Sequence, residues 1–165
     1  MAALTSGAKA PAFELKTLDG TNFSLSDALA RGPVVLAFFK VSCPTCQYAL
    51  PFLERLYKSY GKSGVTLVGI SQNDAKESAE FNKQFGITFP VLLDDTHSYP
   101  VSNAYGLTNV PSTFWIAQDG EIEVSSVGWI KTDFLEVNRK MADLGKVATA
   151  SVFQPGEEVR DFRAG

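Results

Sequence analysis

Residues 34–46, VVLAFFKVSCPTC, decide how the rest of the chain is interpreted. The stretch begins with the unbroken apolar run Val34–Phe39, which is typical of a central strand that is buried on both faces. Apolar residues then recur at helical spacing over residues 44–60, and this pattern predicts a helix. Cys43 and Cys46 therefore lie where a buried strand runs into a helix.

The order of residues in Cys43-Pro44-Thr45-Cys46 predicts different roles for the two thiols. Pro44 suits the first position of a helix, which places Cys43 at or beside the N-cap, facing free N–H groups and the positive end of the helix dipole. A thiol of pKa ~8.5 is only about 3% ionised at pH 7, whereas one lowered to ~7 is about half ionised. We therefore expect Cys43 to be the nucleophile, Cys46 to be the buried resolving thiol, and Pro44 and Thr45 to support them.

Residues that bind metals or form disulfides are few in this chain, which has two cysteines and one histidine, His97. A disulfide scaffold needs more cysteines, and a structural zinc site needs about four ligands, so we expect no metal and no organic cofactor. Two buried structural cysteines remain the simplest alternative, but the strand before the motif and the helix after it favour redox chemistry.

Composition and charge exclude several classes of partner. The chain has 165 residues, 45% of them apolar and 20% charged, which is typical of one soluble globular domain. The net charge of −3, with no stripe of Lys and Arg, argues against binding of nucleic acid. No apolar stretch reaches the ~18 residues of a membrane span, and residues 1–11 lack the features of a signal peptide. We therefore expect a cytoplasmic protein, or a periplasmic or membrane-anchored one if a leader has been removed.

The remaining pattern predicts one domain and a tail. A β-hairpin is indicated around Asp19-Gly20, and a second buried strand over residues 65–70 completes a parallel βαβ unit. A helix and a short strand are predicted within residues 74–95. The domain is expected to cover residues 1–146, and residues 147–165, which lack periodicity, are interpreted as a tail packed on it. The aromatic side chains expected to hold the tail in place are those of Phe153 and Phe162.

Several stretches together resemble one known family. They are Gly7–Leu15, Val34–Leu53 with the C-P-T-C motif, Leu67–Ser71, Tyr105–Phe114 and Asp119-Gly120. With these stretches the chain resembles the redoxin-like branch of the thioredoxin superfamily. That branch joins peroxiredoxin-type sequences (alkyl hydroperoxide reductase and thiol-specific antioxidant) to thioredoxin-like thiol–disulfide oxidoreductases. The resemblance implies an α/β thioredoxin-like fold, in which helices flank a mixed central sheet, with an N-terminal hairpin and a helix–strand insertion.

The resemblance also implies a second part of the site and marks two departures from the family pattern. Val110-Pro111 is expected to be a cis peptide packed against the cysteines, with the Val110 backbone free to pair with an extended substrate segment. Relatives carry a buried acid six residues before the first cysteine or six residues after it. These positions are Ala37 and Ala49 here, so proton transfer has to use water, the thiols or another residue.

The predicted reaction is dithiol–disulfide exchange with protein disulfides, performed by a monomer that receives electrons from an unidentified donor. A peroxiredoxin-like thiol peroxidase is the first alternative. Such an enzyme usually places a Thr three residues before its reactive cysteine and an Arg downstream. Lys40 occupies the first position, and no Arg occurs between Arg55 and Arg139. A binding module that has lost turnover is the second alternative.

Three polar residues near the motif are expected to have secondary roles. Lys40 is close enough in sequence for its ammonium group to stabilise the Cys43 thiolate, but it also fits a solvated lysine at the end of a strand. Gln47 and Tyr48 follow the motif in the first helical turn and are expected to border the active surface.

Overall fold

In the computed structural model, which describes residues 2–61 and 63–165, a seven-stranded mixed sheet forms the centre of the protein. Its strands are β1 (Glu14–Thr17), β2 (Asn22–Ser24), β3 (Val34–Phe39), β4 (Thr66–Ser71), β5 (Val91–Leu93), β6 (Ser112–Ile116) and β7 (Ile122–Val127). Two short strands, β8 (Trp129–Ile130) and β9 (Phe162–Arg163), pair with each other. The helices are α1 (Leu25–Arg31), α2 (Pro44–Tyr60), α3 (Ala75–Phe85), α4 (Pro100–Ala104) and α5 (Lys131–Gly145).

Strand β3 lies between its parallel neighbour β4 and its antiparallel neighbour β6, in the order β2-β1-β5-β4-β3-β6-β7. All six of its residues are buried, because successive side chains enter opposite faces of the sheet and both faces are covered. Val35, Ala37 and Phe39 join the core beneath α2, α3 and α5. The other three residues of β3 join the core beneath α1 and α4. The end of β3, from which the cysteine motif begins, is therefore held rigidly.

The thioredoxin-like α/β fold predicted from the sequence is confirmed, including the hairpin, the βαβ unit and the helix–strand pair. The strand over residues 34–39 and the helix over residues 44–60 have the predicted bounds, and the short strand predicted within residues 74–95 covers residues 91–93. The second strand of the βαβ unit lies one residue later than expected, at residues 66–71. No helix among the described residues has the length and apolar character needed to cross a membrane.

Residues 147–165 pack on the domain, but not with both of the expected aromatic side chains. Phe153 stacks on Phe134 of α5 with ring centroids 5.5 Å apart, and Val152 beside it is buried. The Phe162 side chain is 60% exposed, so the prediction that it holds the tail in place is wrong. The backbone of Phe162 makes the contact instead, because it pairs with Ile130 in the β8–β9 ladder.

A buried carboxylate connects α2 to the loop before β5. Glu54 is only 5% exposed, and its carboxylate accepts hydrogen bonds from the Thr88 amide at 2.7 Å and the Phe89 amide at 3.1 Å. The Thr88 hydroxyl donates a third hydrogen bond to it. The charge of Glu54 is therefore compensated by three donors, and α2 is fixed to the loop that leads into β5.

Replacing this carboxylate is expected to destabilise the fold. In Glu54→Ala the three donors lose their shared acceptor, so we expect the free energy of unfolding to fall by about 2–4 kcal/mol. The matched control is Glu80→Ala, an exposed residue of α3, which we expect to change it by less than about 0.5 kcal/mol. Urea unfolding followed by circular dichroism measures both. Equal stability of the two variants would contradict this role of Glu54.

Candidate active site

The sulfur of Cys43 is held at the N-terminus of α2. Cys43 is the N-cap residue, with extended backbone angles, and Pro44 takes the first helical position. The backbone amide of Cys46 donates a hydrogen bond to Cys43 Sγ at 3.0 Å. A negative charge on this sulfur therefore meets an N–H donor and the positive end of the helix dipole, as the sequence predicts.

The two thiols differ in their access to solvent. Cys43 is partly exposed, whereas Cys46 is fully buried, and the two are present as free thiols. Burial raises the pKa of Cys46, and its hydrogen bond and charge interaction with Cys43 raise it further. Cys46 therefore keeps its proton at neutral pH while both thiols are reduced. The division into an attacking thiol, Cys43, and a resolving thiol, Cys46, stays a prediction.

The Val110–Pro111 peptide lies beside Cys43. The Val110–Pro111 peptide bond is cis, the geometry that the family resemblance implies. In its thiol form Cys43 donates a hydrogen bond to the Val110 carbonyl, with Sγ 3.4 Å from the oxygen. Pro111 itself is buried and directly precedes β6. The predicted residues Cys43, Cys46, Val110 and Pro111 are thus brought together.

The loop between β3 and α2 is held by two amide side chains, one of which the sequence did not predict. Asn73 accepts a hydrogen bond from the Val41 amide at 3.0 Å, and Gln47 donates one to the Val41 carbonyl at 3.0 Å. Gln47 therefore holds the loop that leads to Cys43, and its place at the border of the active surface stays a prediction. Asn73 lies 32 residues away in sequence from Val41, and no spacing signal connects them.

No hydrogen bond joins the Lys40 side chain to Cys43 or Cys46, both of which lie in the described part of the chain. The Lys40 carbonyl accepts a hydrogen bond from the Cys43 amide at 3.3 Å, and its side chain is exposed. Among the described residues, the Lys40 ammonium has neither an ion-pair nor a hydrogen-bond partner. A supporting role for its charge therefore stays a prediction.

Thr45 and Tyr48 make contacts that the sequence did not predict. Thr45 is buried and donates a hydrogen bond to the Ala164 carbonyl at 2.6 Å. The Tyr48 hydroxyl accepts one from the Arg160 amide at 3.0 Å. Both side chains face the tail, so the tail reaches the active-site helix itself.

The two positions at which the family resemblance implies a buried acid, residues 37 and 49, are alanines. Ala37 and Ala49 are buried in the same core cluster as Cys46. Over residues 2–61 and 63–165, no group of His, Cys, Asp and Glu side chains is arranged to hold a metal ion.

The mixed sheet, the cysteine pair at the start of α2 and the cis proline beside it define a thioredoxin-like redox protein. A model of the AhpC/TSA family matches residues 6–125, and the chain belongs to this family. The predicted redoxin branch of the thioredoxin superfamily is thereby confirmed.

Individual relatives agree with this assignment. The chain is 34% identical over 135 residues to the thiol-disulfide oxidoreductase ResA of Geobacillus kaustophilus, covering 81% of this chain and 76% of the relative. A thioredoxin-family thiol:disulfide interchange protein from Chlorobium tepidum TLS is 26% identical with a TM-score of 0.68, over 86% of this chain and 99% of that one. A disulfide isomerase-like protein from Bacteroides thetaiotaomicron, at 21% identity and a TM-score of 0.80 over 88% and 95% of the two chains, shares the fold. The predicted enzyme class, a thiol–disulfide oxidoreductase, is confirmed.

Alkylation tests the difference between the two thiols. At neutral pH we expect iodoacetamide to modify Cys43 in the Cys46→Ser variant at least about tenfold faster than it modifies Cys46 in the Cys43→Ser variant. The reason is that Cys46 is buried and its pKa is raised, so it offers little thiolate. Mass spectrometry of timed samples gives both rates. Equal rates would refute the assignment of the two roles.

Proposed function

We propose that the protein exchanges its Cys43–Cys46 dithiol with disulfides of partner proteins, with Cys43 as the nucleophile and Cys46 as the resolving thiol. One observation carries the proposal: Cys43 is partly exposed, and its Sγ lies at the helix N-terminus, 3.0 Å from the amide nitrogen of the buried Cys46. Cys43 is therefore the residue that a partner disulfide meets, and Cys46 reacts only with Cys43.

The reaction takes place in two displacements. The Cys43 thiolate attacks one sulfur of the partner disulfide, so that a mixed disulfide forms and the partner's other sulfur leaves as a thiolate. Cys46 then loses its proton and attacks Cys43 Sγ, which closes the Cys43–Cys46 disulfide and releases the second partner sulfur. The protein gives up two electrons and two protons, and the partner gains them. The reverse sequence oxidises a partner dithiol.

The proton of Cys46 has to leave before the second displacement. Because residues 37 and 49 are alanines, the proposed acceptor is the thiolate that the partner releases in the first displacement, directly or through water. This route makes the resolving step depend on the presence of the mixed disulfide. It also explains how Cys46 resolves despite its raised pKa.

An extended partner segment is proposed to dock along Val110. The Val110 carbonyl already lies 3.4 Å from Cys43 Sγ, so a segment beside it would bring its own cysteine to the nucleophile. Pro111 has no N–H, and its ring leaves this face without a competing donor. Pro44 and Thr45 hold the first turn of α2 in place beneath the same surface.

The oligomeric state, the cofactors and the compartment proposed for this reaction are those that the sequence favours. The protein is proposed to act as a monomer, without a metal or organic cofactor, and to exchange electrons with a separate donor. The cytoplasm is the proposed compartment, and the periplasmic face or a membrane anchor is the alternative if a leader has been removed.

Substitution of each cysteine tests the proposed function. With insulin as the protein disulfide, we expect Cys43→Ser to reduce turnover to the uncatalysed rate, because no nucleophile remains. We expect Cys46→Ser to accumulate a mixed disulfide, because the resolving step is missing. Turbidity of the released insulin chain and mass spectrometry of the trapped adduct measure the two effects. Turnover by Cys43→Ser equal to that of the parent would favour a binding module instead.

Membership of the AhpC/TSA family keeps thiol peroxidase activity as the second candidate function. The first two arginines that follow the motif in the sequence form ion pairs elsewhere: Arg55 pairs with Glu157, and Arg139 pairs with Glu136 and Asp143. We therefore propose that no Arg donor from these positions serves a peroxide oxygen near Cys43.

Peroxide consumption separates the two candidates. We expect the second-order rate constant of reduced protein with hydrogen peroxide to be at least about a hundredfold below that with insulin disulfides, because Lys40 replaces the usual Thr and both Arg55 and Arg139 are engaged elsewhere. Stopped-flow tryptophan fluorescence or a coupled peroxide assay gives the first constant. A larger constant for peroxide than for insulin would reverse the ranking.

A further inference from the structure

Residues 161–165, here called the cover segment, lie across the active-site surface. The Asp161 carbonyl accepts a hydrogen bond from the Lys131 amide at 2.9 Å, and β9 then pairs with β8. The next residue, Ala164, accepts the hydrogen bond from Thr45 Oγ1 at 2.6 Å. Thr45 stands between the two cysteines, so the cover segment binds the motif itself.

The cover segment also reaches the residue before the cis proline. Asn109 donates a hydrogen bond through Nδ2 to the Gly165 carbonyl at 3.3 Å. A Cβ atom added to Gly165 would lie 2.3 Å from the Val110 carbonyl oxygen. This oxygen is the one that accepts the Cys43 thiol hydrogen at 3.4 Å. Gly165 and the nucleophile therefore approach the same carbonyl group, and a residue larger than glycine does not fit there.

The close contact between the cover segment and the domain also requires a glycine in the domain, at residue 128. Gly128 has φ +80°, and a Cβ added to it would lie 2.6 Å from the Arg163 carbonyl oxygen. Its amide donates to the Pro111 carbonyl at 2.8 Å. The surface beside the cis proline is thus shaped to accept an extended backbone at van der Waals distance.

The chain before the cover segment is fixed more firmly. Arg55 forms two hydrogen bonds with the Glu157 carboxylate, at 2.7 and 2.9 Å, and Trp129 donates through its indole nitrogen to the Arg160 carbonyl at 2.6 Å. The side chains of the cover segment, in contrast, are largely exposed. Arg163 alone covers an aromatic face, with its guanidinium 5.5 Å from the Tyr48 ring centre. The segment is therefore held mainly by backbone contacts at the end of a fixed tail.

We propose that the cover segment occupies the docking surface for extended protein substrates, and that a partner polypeptide has to displace it to reach Cys43. The inference rests on the proposed function, because it concerns the same surface beside Val110. An incoming strand offers the same kinds of hydrogen bond that the segment gives up, so exchange of one for the other is close to balanced in energy. A small disulfide reaches Cys43 without this pairing, and its reaction does not require displacement.

Two variants release the segment without touching the cysteines. One lacks residues 162–165, which removes β9 and the contact with Thr45. The other is Gly165→Ala, whose new methyl group clashes with the Val110 carbonyl and moves the segment away from it. The matched control is Glu158→Ala, an exposed tail position before the segment. Thermal unfolding of each variant establishes that the fold is retained.

The experiment compares single-turnover rates of the reduced proteins with insulin and with the small disulfide 5,5′-dithiobis(2-nitrobenzoate). We expect both release variants to react with insulin about three- to tenfold faster than the parent, where tenfold corresponds to about 1.4 kcal/mol. We expect their rates with the small disulfide to change by less than about twofold, and Glu158→Ala to match the parent with both.

Other outcomes identify which proposal fails. Unchanged or slower reaction of both release variants with insulin, in proteins that still form the Cys43–Cys46 disulfide, overturns the role of the cover segment alone. Equal acceleration with both disulfides also overturns it, because protein docking would then be irrelevant. A parent that forms no such disulfide and does not react with insulin overturns the proposed function.

Limited proteolysis gives an independent measurement of displacement. A Cys46→Ser protein is joined by a mixed disulfide to a cysteine-containing peptide that lacks Lys and Arg, and trypsin cleavage after Arg163 is followed by mass spectrometry. We expect cleavage to be at least about threefold faster than in the peptide-free protein, because the bound peptide frees the segment. Equal cleavage would show that the segment and the peptide do not compete.

Discussion

The hydrogen bond from the Cys46 amide to the Cys43 sulfur is the contact on which the rest of the site depends. This hydrogen bond requires α2 to begin at residue 44. The start of α2 in turn depends on where β3 ends, at residue 39, and on the direction of that strand. Packing on both faces of β3 fixes the direction of the strand, and the carboxylate of Glu54 holds α2 to the loop before β5. The position of the Cys43 sulfur therefore depends on packing on both faces of the sheet.

The two thiols of the motif differ in burial, and their proposed roles differ accordingly. A difference of three residues moves the second sulfur from the surface into the core, where the charged form is costly. The first sulfur belongs to a partly exposed residue and accepts a hydrogen bond from the Cys46 amide at the N-terminus of the helix. The proposed roles follow this difference in burial, with Cys43 reacting with a partner and Cys46 acting within the molecule.

The sequence predicted the elements that carry strong local patterns, and it missed the contacts that join distant segments. Val34–Phe39 and the helix over residues 44–60 followed from apolar periodicity, and the proline beside the thiols followed from family resemblance. The hydrogen bond between Thr45 and Ala164 spans 119 residues and leaves no periodic signal. Phe162 was expected to anchor the tail because it is aromatic, but at this position the backbone makes the contact and the ring points outward.

Thr45 lies between the two cysteines and also binds the cover segment, and both features have to be considered when the motif is engineered. Exchanging the dipeptide between the cysteines is a direct way to tune the redox properties of such a pair, since it changes the first turn of the helix. In this protein the same exchange would also remove a hydroxyl that binds the backbone of residue 164. Motif swaps between this chain and its relatives would therefore alter both the reduction potential of the cysteine pair and the access of a partner to Cys43. The two effects would need to be separated before either is attributed to the dipeptide.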